Sequence, residues 1–172
     1  MGMEYRKLNL SDAAELQGLL ESNPGYTRRV SGRDPQSDDS QAILTALPPG
    51  INVDAKHAWG LWEDKRLVAF VDVIRGYPGP EVTFIGLLVT AGDQSRRGLG
   101  RTLYEYVLAE IRRWQGISVV RLGIVASNAE VAEPFWRSLG FARTGESKPY
   151  IDGTVTSTVT LWEYSIPFPN PM

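Results

Sequence analysis

The stretch from Glu81 to Trp114 limits the fold of this chain more than any other. It begins with an apolar run, EVTFIGLLVT, passes through the polar loop AGDQSRR, and enters GLGRTLYEYVLAEIRRW. The first run reads as a buried central strand. In the last, Leu99, Leu103, Val107, Ile111 and Trp114 fall on one face of a helix. A buried strand feeding a long amphipathic helix needs a sheet with helices packed on it, so the chain belongs among α/β folds.

The junction between strand and helix carries a chemistry of its own. Helix N-termini expose unpaired N–H groups and a partial positive charge, which attract phosphate. Gly98 and Gly100 let the backbone approach a bulky diphosphate. Arg96, Arg97 and Arg101 add full positive charge at the same end, where cations oppose the helix dipole and a bound anion would reverse the penalty. The competing interpretation is a solvated basic loop. Two other phosphate loops fit poorly. A Walker A loop needs a Lys and a glycine spacing that Gly92 does not supply. A dinucleotide fingerprint needs a third glycine where Leu103 stands.

Around this junction the pattern predicts a first strand in MEYRKL and a helix in SDAAELQGLLES. Asp12 and Glu15 stand at capping-box spacing there, with Ala13, Leu16, Leu19 and Leu20 as the apolar stripe. Asn23 to Asp39, rich in Gly, Pro, Asp and Arg, reads as loop. SDDSQAILTAL reads as a second helix, stopped by Pro48-Pro49-Gly50. HAWGLWE and RLVAFVDVI, joined by Asp64-Lys65, form a hairpin, and RGYPGP turns the chain into the strand at Glu81. VVRLGIV is a further strand. Asn128 to Leu139 is helical, with Pro134 expected near its start because deeper it would remove a backbone bond. FARTGES and TVTSTVTLWEYSI close the pattern as two strands. The expectation is an α/β sandwich around a mixed sheet, one domain over 1–166 and a loose tail over 167–172.

Composition narrows the chemistry. The chain has no cysteine, which excludes disulfides, thiolate metal sites and a cysteine nucleophile. His57 is the sole histidine, so metal-hydrolase sites and Ser-His-Asp triads have almost nothing to work with, and no metal is expected. A formal net charge of −2 gives no general attraction to nucleic acid or anionic membrane. No apolar run approaches the ~20 residues that span a bilayer, and MGMEYRKLNL lacks the apolar core of a signal peptide. The expected compartment is the cytoplasm.

Two blocks together resemble the GNAT superfamily of N-acetyltransferases. The loop Gln94-Ser95-Arg96-Arg97-Gly98-Leu99-Gly100-Arg101-Thr102 is similar to that family's phosphate-loop motif, [Q/R]-x-x-G-x-[G/A]. The second block, RLGIVASNAEVAEPFWRSLGF, resembles its fifth strand, asparagine, short helix and closing Leu-Gly-Phe. The resemblance implies a mostly antiparallel seven-stranded mixed sheet with about four helices, splayed between the fourth and fifth strands. It also implies acetyl-CoA as cosubstrate and direct transfer of its acetyl group to a primary amine of a small molecule, peptide or protein. Leu87, Leu88 and Val89 would run beside the pantetheine arm. The amides from Arg96 through Arg97, Gly98, Leu99, Gly100 and Arg101 to Thr102 would hold the pyrophosphate, with Gln94 beside them. Asn128 would face the pantetheine, and Phe135 and Trp136 would pack against the cofactor.

The sequence departs from the family in three places. Ser95 stands where Gln or Arg is preferred, in a loop one residue longer than usual. Trp136 replaces a tyrosine that many members use as acid, and an indole N–H is no useful proton donor. Ile85 and Gly86 stand where a catalytic glutamate is common. For the base, Glu81, Asp72, His57 and a water chain stay open. Tyr150 and Tyr26 are candidates for the acid or for lining the acceptor pocket. The acceptor region would combine Gly25 to Asp39, Arg75 to Pro80 and Lys148 to Gly153. The alternative function is a non-catalytic acyl-CoA-binding or sensing domain. A nucleic-acid role for the arginine clusters is disfavoured by the net charge. An exposed final strand and Phe168 are compatible with a homodimer, which the sequence does not fix.

Overall fold

The computed structural model describes residues 2–94 and 97–167. Ser95 and Arg96 of the expected phosphate loop, and Phe168 with the rest of the Pro-rich tail, lie outside the described residues. The elements run β1 (Met3–Lys7), α1 (Ala13–Ser22), α2 (Pro24–Ser31), α3 (Asp39–Thr45), β2 (Lys56–Glu63), β3 (Arg66–Arg75), β4 (Val82–Thr90), α4 (Leu99–Ile111), β5 (Val119–Val125), α5 (Ala129–Ser138), β6 (Ala142–Asp152) and β7 (Val155–Ser165).

They build one seven-stranded sheet in the order β1-β2-β3-β4-β5-β7-β6. Every neighbouring pair is antiparallel except β4 and β5, which are parallel and joined through α4. The β2–β3 hairpin turns on Asp64 and Lys65, both at positive φ (49° and 68°), the backbone state whose twist matches the flanking strands. Each face of the sheet has its own core. On one, Leu61, Val71, Val73 and Ile85 pack against Leu103, Val107 and Ile111 of α4 and Trp136 of α5. On the other, Ala58, Trp62, Phe70 and Val89 meet Leu16, Leu19 and Leu20 of α1. The alternation along each strand is the reason both faces are filled.

Four details differ from the expectations. The stretch read as loop contains α2, which makes five α-helices among the described residues. Its ends carry clear signals: Pro24 in the first turn, where a missing N–H costs nothing, and Gly32 at φ 77° closing the C-terminus. The capping box is formed one turn earlier than predicted. Asp12 accepts from the Asn9 N–H at 3.0 Å, and Asn9 Oδ1 accepts from the Ser11 N–H at 2.9 Å, because a 3₁₀ turn at Leu10–Asp12 precedes α1. Pro134 lies inside α5 instead of near its start. The helix forgoes one backbone bond there, and the packing of Phe135 and Trp136 on the core holds it in register. The final strand is not exposed at an edge: β7 lies between β5 and β6, and β6 forms that edge.

Candidate active site

The parallel contact between β4 and β5 is short. Only Val82 to Ile85 pair with Val119 to Leu122. Beyond that point β4 stays with β3 and β5 stays with β7, so the two strands part. The cause is local. Asp72 of β3 faces Leu87 and Val73 faces Ile85, which leaves Gly86 as an extra, bulged residue. A bulge bends its strand and increases the twist. The backbone of Gly86 to Thr90 facing β5 is thereby left without a strand partner.

The gap opens into a cavity of about 420 Å³. Leu87, Leu88 and Val89 line one wall, Gly123 and Ile124 the other, and Asn128, Phe135 and Trp136 close it from α5 and the turn before it. At one end sits the N-terminus of α4. Gly98 there has φ 73° and no side chain caps the helix. The first helical bond is Thr102 N–H to the Gly98 carbonyl at 3.0 Å. The N–H groups of Leu99, Gly100 and Arg101 lie ahead of it, in the first turn, where a helix leaves its N–H groups without intrahelical acceptors, and among the described residues none has a backbone acceptor. A Cβ on Gly100 would stand 3.2 Å from Leu88 and 3.3 Å from Phe135, so glycine there keeps strand, helix and cavity wall together.

The polar residues of the loop divide. Gln94 and Arg101 line the cavity, and Arg101 also donates to the Ser138 carbonyl at 3.3 Å. Arg97 turns away and forms a two-point ion pair with Glu63 at 2.9 Å. Neither Arg97 nor Thr102 is among the cavity-lining residues. Asn128 is reached from an unforeseen direction: its Oδ1 accepts from Arg29 Nε of α2 at 2.6 Å. Trp136 is buried edge-on against Tyr104 and Phe141.

The catalytic candidates scatter. Glu81 stands just before β4, at the end opposite Thr90, and is not among the cavity residues; its carbonyl accepts from Ser118 and Val119. His57 lies on the α4 face of β2 between Trp59 and Trp114, with Lys7 Nζ 3.1 Å from Nδ1. Burial, then Lys7 and Arg75, lowers its pKa to about 4. Asp72 is brought to the bulge. Its Oδ2 lies 3.0 Å from where a Cβ on Gly86 would be, and Lys56 Nζ stands 2.8 Å from its Oδ1. Burial raises the Asp72 pKa, and Lys56 opposes that rise. Tyr150 donates to the Val30 carbonyl at 2.8 Å. Burial, then Asp152, pushes its pKa up to about 12. Tyr26 lines the cavity, its own pKa raised by burial and then by Tyr150.

Sequence reasoning set Gly25 to Asp39 and Tyr26 beside the acceptor but read the segment as loop, and missed the helix α2 there. Tyr26 and Arg29 line the cavity from it and Asn23 from just before it, and the Pro24 and Gly32 punctuation was the signal that marks the helix. Among the described residues no cluster of His, Cys, Asp and Glu is arranged to hold a metal ion, and no helix is long and apolar enough to cross a membrane.

Comparison with known proteins agrees with this geometry. The model of the Acetyltransferase (GNAT) family matches residues 20–141, and the chain belongs to that family. No curated protein sequence matches it. Among solved structures, an acetyltransferase from Thermus thermophilus is similar, with 22% identity, a TM-score of 0.74, and coverage of 96% of this chain and 98% of its own. The ribosomal-protein-S18-alanine N-acetyltransferase from Escherichia coli is similar at 17% identity and a TM-score of 0.69, covering 98% of this chain and 97% of its own. At such identities the likeness establishes the fold.

Proposed function

We propose that this chain binds acetyl-CoA in the β4–β5 gap and transfers its acetyl group directly to a primary amine. One observation carries the reading: the gap runs without interruption into the uncapped N-terminus of α4 at Gly98. A diphosphate suits the first-turn N–H groups of Leu99, Gly100 and Arg101, with the Arg101 guanidinium beside them. A linear amide-bearing arm suits the edge of Gly86 to Val89 that has no strand partner, where backbone groups stand ready to pair as an added strand. Bound acetyl-CoA supplies an activated thioester.

The chain's own part is then positioning and proton removal. Holding amine and thioester in attack geometry is worth effective molarities of about 10⁵ M or more. Backbone N–H groups near Leu88 are the donors closest to a developing oxyanion. Among the described residues no carboxylate and no histidine lines the cavity. Asp72, behind Gly86, is the carboxylate nearest the bulge, and we assign it the amine's proton, taken directly or across a water. Trp136 packs and does not titrate, so the departing thiolate takes its proton from solvent.

The same lack of a lining carboxylate favours the second reading, a non-catalytic acyl-CoA-binding domain, and turnover separates the two. The test is calorimetric titration of acetyl-CoA, CoA and ATP, followed by thiol release with an amine panel. Micromolar binding of both CoA species and not ATP, with thiol release, supports the transferase. Binding without release across the panel supports the second reading, and no CoA binding at low salt removes both.

A further inference from the structure

We propose that the acceptor is an amine that also bears a carboxylate, and that Arg29 binds that carboxylate; this rests on the transferase reading above. Three arginines stand close together in and just after α2, and their fates differ. Arg28 pairs with Asp34 at 2.5 Å, both exposed. Arg33 is exposed. Arg29 is half-buried and lines the cavity. Its one side-chain hydrogen bond among the described residues is from Nε to the neutral amide oxygen of Asn128. A guanidinium has five N–H donors, so the four on its two terminal nitrogens remain. No carboxylate among the described residues lies within ion-pair distance, and among them Arg29 and Arg101 are the only charged side chains lining the cavity. A cation drawn into a partly desolvated cavity with no counter-charge is costly unless a ligand brings one.

The position is also built. Ser127 Oγ donates to the Arg29 carbonyl at 2.5 Å. Tyr150 donates to Val30, and the Thr154 N–H donates to the Ser31 carbonyl at 3.0 Å. At the other end of α2, Asn23 Nδ2 donates to the Thr90 carbonyl at 2.9 Å. Gly25 leaves room for the guanidinium, since a Cβ there would stand 2.9 Å from one terminal nitrogen of Arg29. The α2 segment is therefore pinned at both ends with one arginine aimed inward. The cofactor's diphosphate has its own donors at the α4 N-terminus. The anion left for Arg29 is one carried by the acceptor, and the planar fork suits a carboxylate held at two points.

The test compares free amino acids with their carboxamides as acceptors, reading CoA thiol release in the wild type, Arg29→Gln and Gly25→Ala. Acetyl-CoA affinity is measured in each variant first. The acids should exceed the amides in kcat/KM by roughly 10- to 100-fold, the range of a charge-assisted hydrogen bond. Arg29→Gln should erase that ratio while acetyl-CoA affinity stays within about threefold, which is small beside the loss of such a bond. Gly25→Ala should reduce the ratio with the charge still present. Equal use of acids and amides, or a preference that survives Arg29→Gln, overturns the proposal. Loss of acetyl-CoA affinity in Arg29→Gln with acceptor preference unchanged assigns Arg29 to the diphosphate instead and also overturns it. If acetyl-CoA binds but no amine turns over, N-acetyl amino acids and their carboxamides are titrated into the CoA complex. Acid-selective binding lost in Arg29→Gln supports the proposal, and equal binding refutes it. Absence of acetyl-CoA binding in the wild type is a separate outcome, which removes the transferase reading itself and the proposal with it.

Discussion

Ser127 Oγ donates to the backbone carbonyl of Arg29 at 2.5 Å, tying α2 to the turn that ends β5. The two residues come from opposite halves of the chain, and the bond holds one wall of the cavity against the other. Ser127→Ala should cost about 1 kcal/mol, the net worth of an ordinary hydrogen bond. The loss should be local. Hydrogen exchange should quicken across Pro24–Ser31 while the amides of β3 keep their protection. Equal quickening in both places would contradict a local clasp.

Gly98 and Gly100 should not tolerate bulk. Gly98→Val forces a β-branched residue to a φ of 73°, and Gly100→Val drives side-chain carbon toward Leu88 and Phe135. Acetyl-CoA affinity should fall by ~100-fold or more as the helix N-terminus loses its approach to the diphosphate. Calorimetry, with circular dichroism to confirm folding, reads the result. Unchanged affinity in a folded variant would remove the phosphate-loop assignment.

Asp72→Asn should lower kcat by about 100-fold or more, the range of general base catalysis. The base must be ionised, so wild-type kcat should fall as pH drops through the Asp72 pKa. In the variant that acidic limb should vanish. Lys56, its side chain 7% exposed, loses its partner in this variant, which can cost about 3–5 kcal/mol. The pair Lys56→Met with Asp72→Asn keeps the test open if the single variant does not fold. A wild-type pH profile in either folded variant would exclude Asp72.

Trp136→Phe should leave turnover within about a hundredfold of wild type, since the indole packs against Tyr104 and Phe141 and moves no proton. Its signature should be stability, with a cost of about 1–3 kcal/mol for the unfilled volume. A larger fall in kcat at unchanged KM would assign the indole N–H a role in the transition state.

His57 makes stability depend on pH. Its folded pKa of about 4 lies below the ordinary imidazole value of 6.5, so the unfolded chain binds the proton more tightly. Stability should therefore be whole above about pH 6.5 and be lost as pH falls toward 4. Urea midpoints at pH 7 and 4.5 should differ less in His57→Phe than in the wild type. The ring is only partly buried, so the difference should be modest. Equal differences in both proteins would show that the carboxylates dominate this window.

The mixed sheet with its flanking helices and the glycine-bearing junction between β4 and α4 were legible along the chain. They rest on local pattern and on glycines placed where strand meets helix: the apolar runs of β2 and β3, the stripe Leu99, Leu103, Val107 and Ile111, and the pair Gly98 and Gly100. Local backbone preference and burial settle such features within a few turns of chain. Which polar groups share the cavity was settled only by folding. Glu81 and Asp72 look equally good along the chain, yet folding sets Asp72 against the Gly86 bulge and leaves Glu81 at the far end of β4. Arg28, Arg29 and Arg33 look alike in sequence. Only the docking of α2 on Ser127, Tyr150 and Thr154 turns Arg29 inward. A side chain's charge is written in the sequence. Its partners, its burial and therefore its chemistry come from segments about a hundred residues apart that meet only when the chain folds.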